Sequence, residues 1–490
     1  MEYEIVIGLE VHSQLQTKSK MFCACSAVYQ DADYNTTVCP VCMGMPGVLP
    51  VINRQAIEHI IKTGLALDCT IARHTKFDRK NYPYPDLMKG YQISQYDLPV
   101  ASNGHLTLET DEGEKVIGIT RVHMEEDVAK LFHRAEEFGE GYSLLDINRA
   151  GVALMEIVSE PDMRSPDDAR TYLTQLQSIL RYIGVSSANM EEGNFRCDAN
   201  ISVRPIGSDK LGSKVEVKNM NSFRSVYRAL EYETVRQVQA VKKGERIVQE
   251  TRGWDEKNDR TFSQRIKEEE NDYRYFPEPD LPPLEISEAW IDEIQRTLPE
   301  LPQARLHRFR DEFGLSAYDA GLLTGNQPTA DYFESIIEAK KAPADQQKKF
   351  AKSVSNWILV ELARLLNQTG HEIQSVKVEP SQMVELIDMV DTGQFSSSMA
   401  KTVFEEMFNT GRAPGYIAKE NGLVQISDHG AINEAINEAI SGNPDPVAEY
   451  LGGKEQAIRF LVGQVMKITR GNANPQVANE LLKEKLESLK

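Results

Sequence analysis

The apolar pattern of this chain changes at one proline-dense segment, PEPDLPP, over residues 277–283. Before it, short runs with the two-residue alternation of β-strands are mixed with a few helices, whereas stretches beyond it, such as SNWILVELARLLNQ, have the period of helices. A chain of 490 residues also exceeds what one hydrophobic core usually supports. We therefore expect an α+β domain over residues 1–290, a helical domain over 291–408 and a small helical tail domain over 409–490.

Composition and charge limit the class of protein and its partners. Apolar residues make up 41% and charged residues 26% of the chain, as in soluble globular proteins, and no long uninterrupted apolar window occurs. The first residues, MEYEIVIGLEVH, are too acidic and strand-like for a signal peptide, so we expect a cytoplasmic protein without a membrane span. The net charge of −19 argues against phosphate binding over the whole surface, but the stretch from Leu451 onwards carries seven Lys or Arg against four Glu.

Four of the six cysteines lie within residues 23–42, CACSAVYQDADYNTTVCPVC. Thiols in the cytoplasm are kept reduced, so such a cluster favours metal binding over disulfides. Zinc binds four thiolates tetrahedrally, and C-P-V-C has the spacing of a zinc knuckle. We predict a closed, structural zinc site formed by Cys23, Cys25, Cys39 and Cys42. The alternative is four buried thiols without a metal. Cys69 and Cys197 lie in apolar patterns and are predicted core residues.

Two helices before the proline-dense segment are marked by their ends. Ser165 is followed by a first-turn proline and two first-turn acids, and Gly184 ends that helix. A second helix is predicted from Ser222 to Gly244. Their apolar stripes are assigned to the core and comprise Ala169, Tyr172, Leu173, Leu176, Ile179, Leu180 and Ile183 in the first helix, and Phe223, Val226, Leu230, Val235 and Val238 in the second.

Strand-like segments of the first domain carry polar side chains at alternate positions. These positions are Glu10 and His12 in YEIVIGLEVH, Arg196, Asp198, Asn200 and Ser202 in FRCDANISVR, and Glu216 and Lys218 in KVEVKN. The intervening residues are mostly apolar, so each strand has an apolar face and a face of ionisable groups. A fourth segment, TRVHMEEDVAKL, brings His123, Glu125 and Glu126 close together. If the strands share a sheet, these groups form one polar floor.

Such a floor has the chemistry of a metal and phosphate site. Carboxylates with an imidazole suit Mg²⁺ or Mn²⁺, and interleaved Arg and Lys can hold phosphate oxygens, which is what phosphoryl transfer needs. The alternative is the solvated polar face that antiparallel sheets commonly show. No G-x-x-x-x-G-K-[ST] sequence and no G-x-G-x-x-G between a strand and a helix occur, so a bound nucleotide would lie outside the P-loop and Rossmann classes.

The segment FDRKNYPYPDLMKGYQISQYD, residues 77–97, mixes tyrosines with basic and acidic residues and with prolines that restrict the loop. Aromatic and basic side chains in such a mixture can stack against and clamp a substrate, so Lys80 and Lys89 are candidate cofactor-binding residues. Equally, Pro-Tyr loops of this kind can serve only to pack over a sheet.

Five segments together resemble the B subunit of the tRNA-dependent amidotransferase: IGLEVHSQL, KNYPYPDLMKGYQISQYD, INRAGVALMEIVSEPD, EEGNFRCDANISVR and VEVKNMNSF. The similarity continues into the tail, with LVGQVMKITRGNANP. The resemblance implies ATP-dependent phosphorylation of the side-chain carboxylate of Glu-tRNA(Gln) or Asp-tRNA(Asn). It further implies amidation with ammonia from a glutaminase partner, the A subunit, and a small C subunit that joins the two.

The resemblance also implies a catalytic domain similar to that of glutamine synthetase, in which an antiparallel sheet forms a cradle. Its Mg²⁺ ligands would be Glu10, His12 and Glu125, and the four cysteines correspond to the family's zinc knuckle. To these we add Lys218 as a catalytic residue, and Lys80, Lys89, Arg196, Asp198, Asn200 and Glu216 as ATP-binding residues. The tail is expected to contact tRNA away from its acceptor end.

Two loop residues depart from the family pattern. Met88 stands where DLPKGYQ has its proline, and Pro83 stands where an aromatic residue is more usual, which bears on the rigidity of the loop.

Two other functions are compatible with parts of the sequence. One is a non-catalytic, zinc-containing scaffold that binds tRNA, and the other is a carboxylate–amine ligase that uses no RNA, which leaves the basic tail unexplained.

Overall fold

The structure is a computed structural model that describes residues 2–110, 113–134, 141–266, 273–341, 343–422, 429–454, 456–469, 473 and 475–489. The chain divides into two compact units, Met1–Pro302 and Gln303–Lys490. The first unit is built around one hydrophobic cluster and the second around two.

Sixteen strands lie in the described part of the first unit. They are β1 (Tyr3–Gln14), β2 (Thr70–Ile71), β3 (His74–Thr75), β4 (Asp78–Asn81), β5 (Tyr91–Ser94), β6 (Ala101–Thr110), β7 (Gly113–Glu126), β8 (Lys130–Arg134), β9 (Tyr142–Asp146), β10 (Ala153–Ser159), β11 (Phe195–Pro205), β12 (Val215–Lys218), β13 (Glu250–Asp255), β14 (Arg260–Ile266), β15 (Phe276–Pro277) and β16 (Leu284–Glu285). The helices of this unit are α1 (Arg54–Ala66), α2 (Pro166–Tyr182), α3 (Phe223–Lys242) and α4 (Glu288–Gln295).

Among the described residues, nine strands form one sheet in the order β14–β13–β12–β11–β1–β10–β7–β6–β2. Neighbouring strands are antiparallel except for β12 and β13, which are parallel. Smaller sheets pair β15 with β4 and β5, β16 with β3, and β8 with β9. The predicted α+β class with a large antiparallel sheet is therefore confirmed.

One face of the nine-stranded sheet is apolar and packs against α1, α2 and α3. Leu9 and Val11 of β1, with Ala199 and Ile201 of β11, lie on this face and are inaccessible to solvent. Successive side chains of a strand point to opposite faces, so the polar residues of β1 and β11 lie on the other side. As the alternation predicted, the ionisable side chains of these strands therefore lie on the face opposite the hydrophobic core.

The cap residues predicted the starts of α2 and α3 correctly. The Ser165 hydroxyl accepts a hydrogen bond from the amide of Asp168 (3.0 Å), and the Ser222 hydroxyl accepts one at the start of α3. The predicted core stripe of α3 is wrong at Val235, which is 53% exposed. The buried positions beyond Leu230 are instead taken by Glu233 and Gln237, whose side chains hydrogen-bond to one another.

The remainder of the chain is helical, as predicted. Within its described residues the helices are α5 (Pro302–Phe313), α6 (Ala317–Thr324), α7 (Gln327–Lys340), α8 (Ala344–Asn356), α9 (Ala363–Thr369), α10 (Pro380–Asp391), α11 (Ser397–Thr410), α12 (Pro414–Glu420), α13 (His429–Gly442), α14 (Pro444–Leu451), α15 (Ala457–Ile468) and α16 (Pro475–Glu487). A π-helical turn at Trp357–Leu362 joins α8 to α9, and a 3₁₀ turn at Ile373–Ser375 precedes α10.

Two clusters of buried residues stabilise this second unit. One runs from Phe309 to Ala418, and the other from Ile432 to Leu486.

In the first unit, Ile294 of α4 still packs into the sheet core, beyond the expected boundary at residue 290. The division into three domains stays a prediction. None of the described helices is both long and apolar enough to cross a membrane.

Candidate active site

Three neighbouring strands bring the central polar residues together. In the sheet, His12 of β1 pairs with Glu156 of β10, and Glu156 pairs with His123 of β7. Glu125 follows two residues after His123 and therefore points to the same side of the sheet. The pairing register places two imidazoles and two carboxylates on the face opposite the hydrophobic core.

The side-chain distances define a compact cluster. The Nε2 atom of His12 lies 3.3 Å from Oε2 of Glu156 and 3.8 Å from Oε2 of Glu125. One potential ligand atom from each of these three residues lies within 4.8 Å of the other two. An imidazole and two carboxylates in this arrangement fit a divalent cation such as Mg²⁺ or Mn²⁺.

Both carboxylates of the cluster are ionised despite their burial. Burial opposes ionisation of Glu125, but the Lys80 ammonium 3.4 Å away and His123 together outweigh it and lower the pKa of Glu125 to about 2. Burial also opposes ionisation of Glu156, yet His123 and His12 lower its pKa well below the usual range. The two negative charges are therefore available to a cation at neutral pH.

Neighbouring side chains orient the carboxylate and imidazole groups of the cluster. The Ser94 hydroxyl donates to Oε1 of Glu125 (2.9 Å), and the Gln92 amide donates to Oε2 (3.1 Å). The Nε atom of Arg121 lies 3.3 Å from Nδ1 of His123. Burial opposes the charge of His123, but Glu156 and Glu125 outweigh it and raise the pKa of the imidazole to about 9, so a proton lies on Nε2 at neutral pH. That nitrogen lies 3.4 Å from Glu156, so His123 positions the carboxylate that it faces.

A second group of predicted residues lies on β1, β11 and β12. The Asn200 amide donates to Oε1 of Glu10 (2.8 Å) and so orients that carboxylate. The Lys218 ammonium lies 2.8 Å from Asp198 and 3.2 Å from Glu216. Burial opposes the charge of Lys218, but these carboxylates outweigh it and raise the pKa of the lysine. Lys218 therefore stays protonated at neutral pH.

The two groups line one cavity of about 610 Å³ on the polar side of the sheet. Its lining includes seven of the predicted residues, namely Glu10, His12, Lys80, Glu125, Asp198, Glu216 and Lys218. A space of this size accommodates a nucleotide-sized ligand. Side chains that are distant along the chain thus converge on a single site.

Three predicted residues do not line this cavity. Asn200 contacts the cavity residue Glu10 through a hydrogen bond and does not itself line the cavity. Arg196 donates from Nη2 to the buried Asp127 (2.7 Å), although its backbone pairs with that of His12. Lys89 forms an ion pair with Glu126 beside the cysteine loop. The assignment of these three residues to ATP binding stays a prediction.

Glu156, Tyr273 and Tyr275 were missed from the sequence. Glu156 lies in VALMEIVS, where it is the one charged residue of an otherwise apolar strand, and that exception was the available signal. Tyr96, Tyr273 and Tyr275 also line the cavity. The last two lie close to the proline-dense segment, and no local pattern related them to the sheet.

The four clustered cysteines meet as the spacing predicted. Their sulfur atoms all lie within 4.8 Å of one another, and Sγ of Cys39 is 3.9 Å from Sγ of Cys42. Four thiolates at about 2.3 Å from one zinc ion are about 3.8 Å apart, so the arrangement fits tetrahedral zinc. All six cysteines are free of disulfide bonds, and Cys69 and Cys197 are buried as predicted.

The charge around this cluster favours a thiolate at Cys42. A hydrogen bond from Cys23 lowers the pKa of Cys42 to about 4, and the ammonium of Lys20, 3.7 Å from that sulfur, acts in the same direction. Lys20 is completely buried, so its charge is only weakly screened by water. Burial raises the pKa of Cys25 to about 11.

Comparison with known proteins gives a consistent family. A family described as the GatB/GatE catalytic domain matches residues 5–292, and one described as the GatB domain matches residues 331–486. The B subunit of the aspartyl/glutamyl-tRNA(Asn/Gln) amidotransferase of Carboxydothermus hydrogenoformans is 53% identical over 488 residues, which cover 100% of both chains. Proteins of the same name from Dehalococcoides mccartyi (strain CBDB1) and Moorella thermoacetica are 55% and 54% identical over at least 99% of each chain.

Proposed function

This chain belongs to the family formed by the B subunits of the aspartyl/glutamyl-tRNA(Asn/Gln) amidotransferases, and from that premise we propose that it amidates glutamate or aspartate attached to tRNA. The family resemblance predicted from the sequence motifs is confirmed. The observation that carries the proposal is the cluster of His12, Glu125 and Glu156 on the floor of a cavity of about 610 Å³. A site for phosphoryl transfer needs such ligands next to space for both substrates.

The proposed reaction has two steps. First, an oxygen of the side-chain carboxylate of Glu-tRNA(Gln) or Asp-tRNA(Asn) attacks the γ-phosphorus of ATP, the bond to the β–γ bridging oxygen breaks, and ADP leaves. Ammonia then attacks the carbonyl carbon of the acyl phosphate, and the bond to the phosphate oxygen breaks. One proton passes from nitrogen to phosphate, which leaves an amide and hydrogen phosphate. The first step is required because an unactivated carboxylate is a poor electrophile.

The residues of the cavity support distinct parts of this reaction. His12, Glu125 and Glu156 would hold Mg²⁺ or Mn²⁺, and Glu10 lies in the same cavity as a further carboxylate. The bound ion would supply charge neutralisation for the phosphate oxygens. The Lys218 ammonium, on β12, is held by two carboxylates and can orient an anionic substrate.

Partners follow from the family and from the chemistry. From the family we propose that ammonia comes from the glutaminase A subunit, with a small C subunit completing the complex. The cavity must exclude water while the acyl phosphate exists, since water would hydrolyse it. A covered route for ammonia from the partner satisfies this requirement.

Two further regions have proposed roles. The cysteine cluster would bind zinc and hold the loop between β1 and α1, with no open coordination position for catalysis. The helical tail would bind tRNA away from the acceptor end. Its exposed basic side chains, which suit contact with phosphates, include Lys419, Lys454, Arg459, Lys467, Lys483 and Lys485.

The test uses the chain assembled with its candidate A and C subunits. Release of ADP should be stimulated by Glu-tRNA(Gln), by Asp-tRNA(Asn) or by both, and not by the uncharged tRNAs. Glu125→Gln should abolish transfer of the labelled γ-phosphate while tRNA binding is retained. If ATP is not consumed with either misacylated tRNA, the chain acts as a scaffold that binds tRNA without chemistry. The comparison of the two tRNAs also decides which amide is made.

A further inference from the structure

A stacked pair of tyrosines lies at the edge of the catalytic cavity. The ring centroids of Tyr96 and Tyr275 are 4.4 Å apart, and the ring planes differ by 12°. Both residues line the cavity, yet Tyr96 remains 59% exposed. One face of the Tyr96 ring is covered by Tyr275, and its other face is therefore available to a ligand.

Neighbouring contacts hold this pair in place. The Tyr275 ring packs edge to face against Tyr273 (6.0 Å, 73°), which in turn packs against Tyr82 (5.9 Å, 66°). The backbone amide of Tyr96 donates to the buried carboxylate of Asp78 (3.1 Å). A flat aromatic surface that is already ordered loses little conformational entropy when a second ring stacks on it.

The tyrosines are linked to the metal-ligand cluster by one cation. The Nζ atom of Lys80 lies 5.3 Å from the ring centroid of Tyr273 and 3.4 Å from Oε1 of Glu125. The cavity therefore offers an aromatic surface, a positive charge and a set of cation ligands in succession. A ligand with a planar base at one end and phosphates towards the other matches this order.

We propose that Tyr96, supported by Tyr275, is the stacking surface for a purine base of a substrate. This inference rests on the proposed function and names the part of the cavity that holds the base. Two substrates of that reaction carry an adenine that could stack here: ATP, and the tRNA, whose 3′-terminal nucleoside is adenosine. The stacking chemistry is the same for both, and the experiment distinguishes them.

The ATP arm compares the wild-type complex with Tyr96→Ala and Tyr96→Phe. Loss of a base-stacking ring typically weakens binding by about tenfold or more. Tyr96→Ala should weaken ATP binding by that factor, Tyr96→Phe should bind as the wild type does, and inorganic tripolyphosphate should bind all three equally. Tyr318→Ala is the matched control, because Tyr318 is 75% exposed on α6 and does not line the cavity.

The tRNA arm measures affinity for tRNA(Gln) with and without its terminal adenosine. If that adenosine is the ligand, Tyr96→Ala should weaken binding of the intact tRNA about tenfold and leave binding of the shortened tRNA unchanged. A selective loss in either arm supports the inference and identifies which adenine stacks on Tyr96.

Two results would overturn the inference. One is unchanged affinity of Tyr96→Ala for both ATP and intact tRNA, and the other is an equal loss for tripolyphosphate, which would indicate a general disturbance of the cavity. Failure of the proposed function has a different signature. The wild-type complex would then show no ATP consumption that depends on misacylated tRNA, whereas base binding is measured without turnover.

Discussion

The Nε2 atom of His12 lies 3.3 Å from Oε2 of Glu156, across strands β1 and β10 that pair at these two residues. Glu125 approaches the same imidazole from β7. The three residues come from segments far apart in the sequence, and a shift of the strand register by one residue would turn one of them into the core. The proposed metal site therefore depends on the order and register of three strands.

Glu156→Gln tests the residue that the sequence did not reveal. It removes one of the two buried negative charges while keeping the shape of the side chain, so transfer of γ-phosphate to Glu-tRNA should fall by about a hundredfold or more. Affinity for tRNA should stay unchanged in a filter-binding assay. Glu160→Gln is the control, since Glu160 is exposed and bonds to Thr120 (2.7 Å) outside the cavity. A normal transfer rate in Glu156→Gln would contradict the role proposed for this carboxylate.

Purified protein should contain close to one zinc ion per chain, measured by elemental analysis. Cys39→Ser should lose that zinc and lower the free energy of unfolding by about 2 kcal/mol or more, because the loop would lose a metal cross-link. Cys69→Ser serves as the control, since Cys69 is buried outside the cluster and should leave the zinc content unchanged. Zinc-free protein whose stability is insensitive to Cys39→Ser would instead favour four buried thiols.

Zinc affinity should rise steeply with pH. The pKa of Cys25 is raised to about 11 by burial, and that of Cys23 is raised chiefly by its hydrogen bond to Cys42, so both are protonated near neutrality and must release protons on binding. Cys42, with its pKa lowered to about 4, releases none. Two released protons correspond to about a hundredfold tighter binding per pH unit between pH 6 and 7.5.

Competition with a chromophoric chelator at several pH values measures this dependence. The slope of log affinity against pH should be at least about two, after correction for protonation of the chelator itself. A slope near zero would mean that the thiols are already ionised in the metal-free protein.

Truncation after residue 422 tests the role of the tail. This position follows Ile417 and Ala418, which belong to the preceding hydrophobic cluster, so that cluster stays complete. The truncated protein, in complex with its partners, should bind tRNA at least about tenfold more weakly and with a smaller salt dependence. ATP affinity should remain as in the full chain. In the full-length protein, replacing the exposed Lys483 and Lys485 with Gln should reproduce part of the loss of tRNA affinity. If the truncated protein binds tRNA as tightly as the full chain does, the tail is not part of the tRNA interface.

Local features of the sequence were sufficient for much of the fold. Ser165 and Ser222 marked the starts of two helices, because a cap residue acts on amides only three positions away. The alternation of polar and apolar residues likewise predicted the two faces of β1 and β11. Successive side chains of a strand point to opposite sides of the sheet, and this does not depend on which strand lies next to it. The exception was Val235, because the buried stripe of α3 continues at helical spacing through the polar residues Glu233 and Gln237, and Val235 lies off that stripe.

By itself, the sequence determined which side of each strand is polar and that four cysteines lie close enough to share a metal. Only the tertiary structure decided which polar residues meet. It joined Glu156 to His12, turned Arg196 towards Asp127, and paired Lys89 with Glu126. The physical reason is that the facing of a side chain follows from the local backbone, whereas its partners follow from strand order and register, which are set by contacts between distant segments.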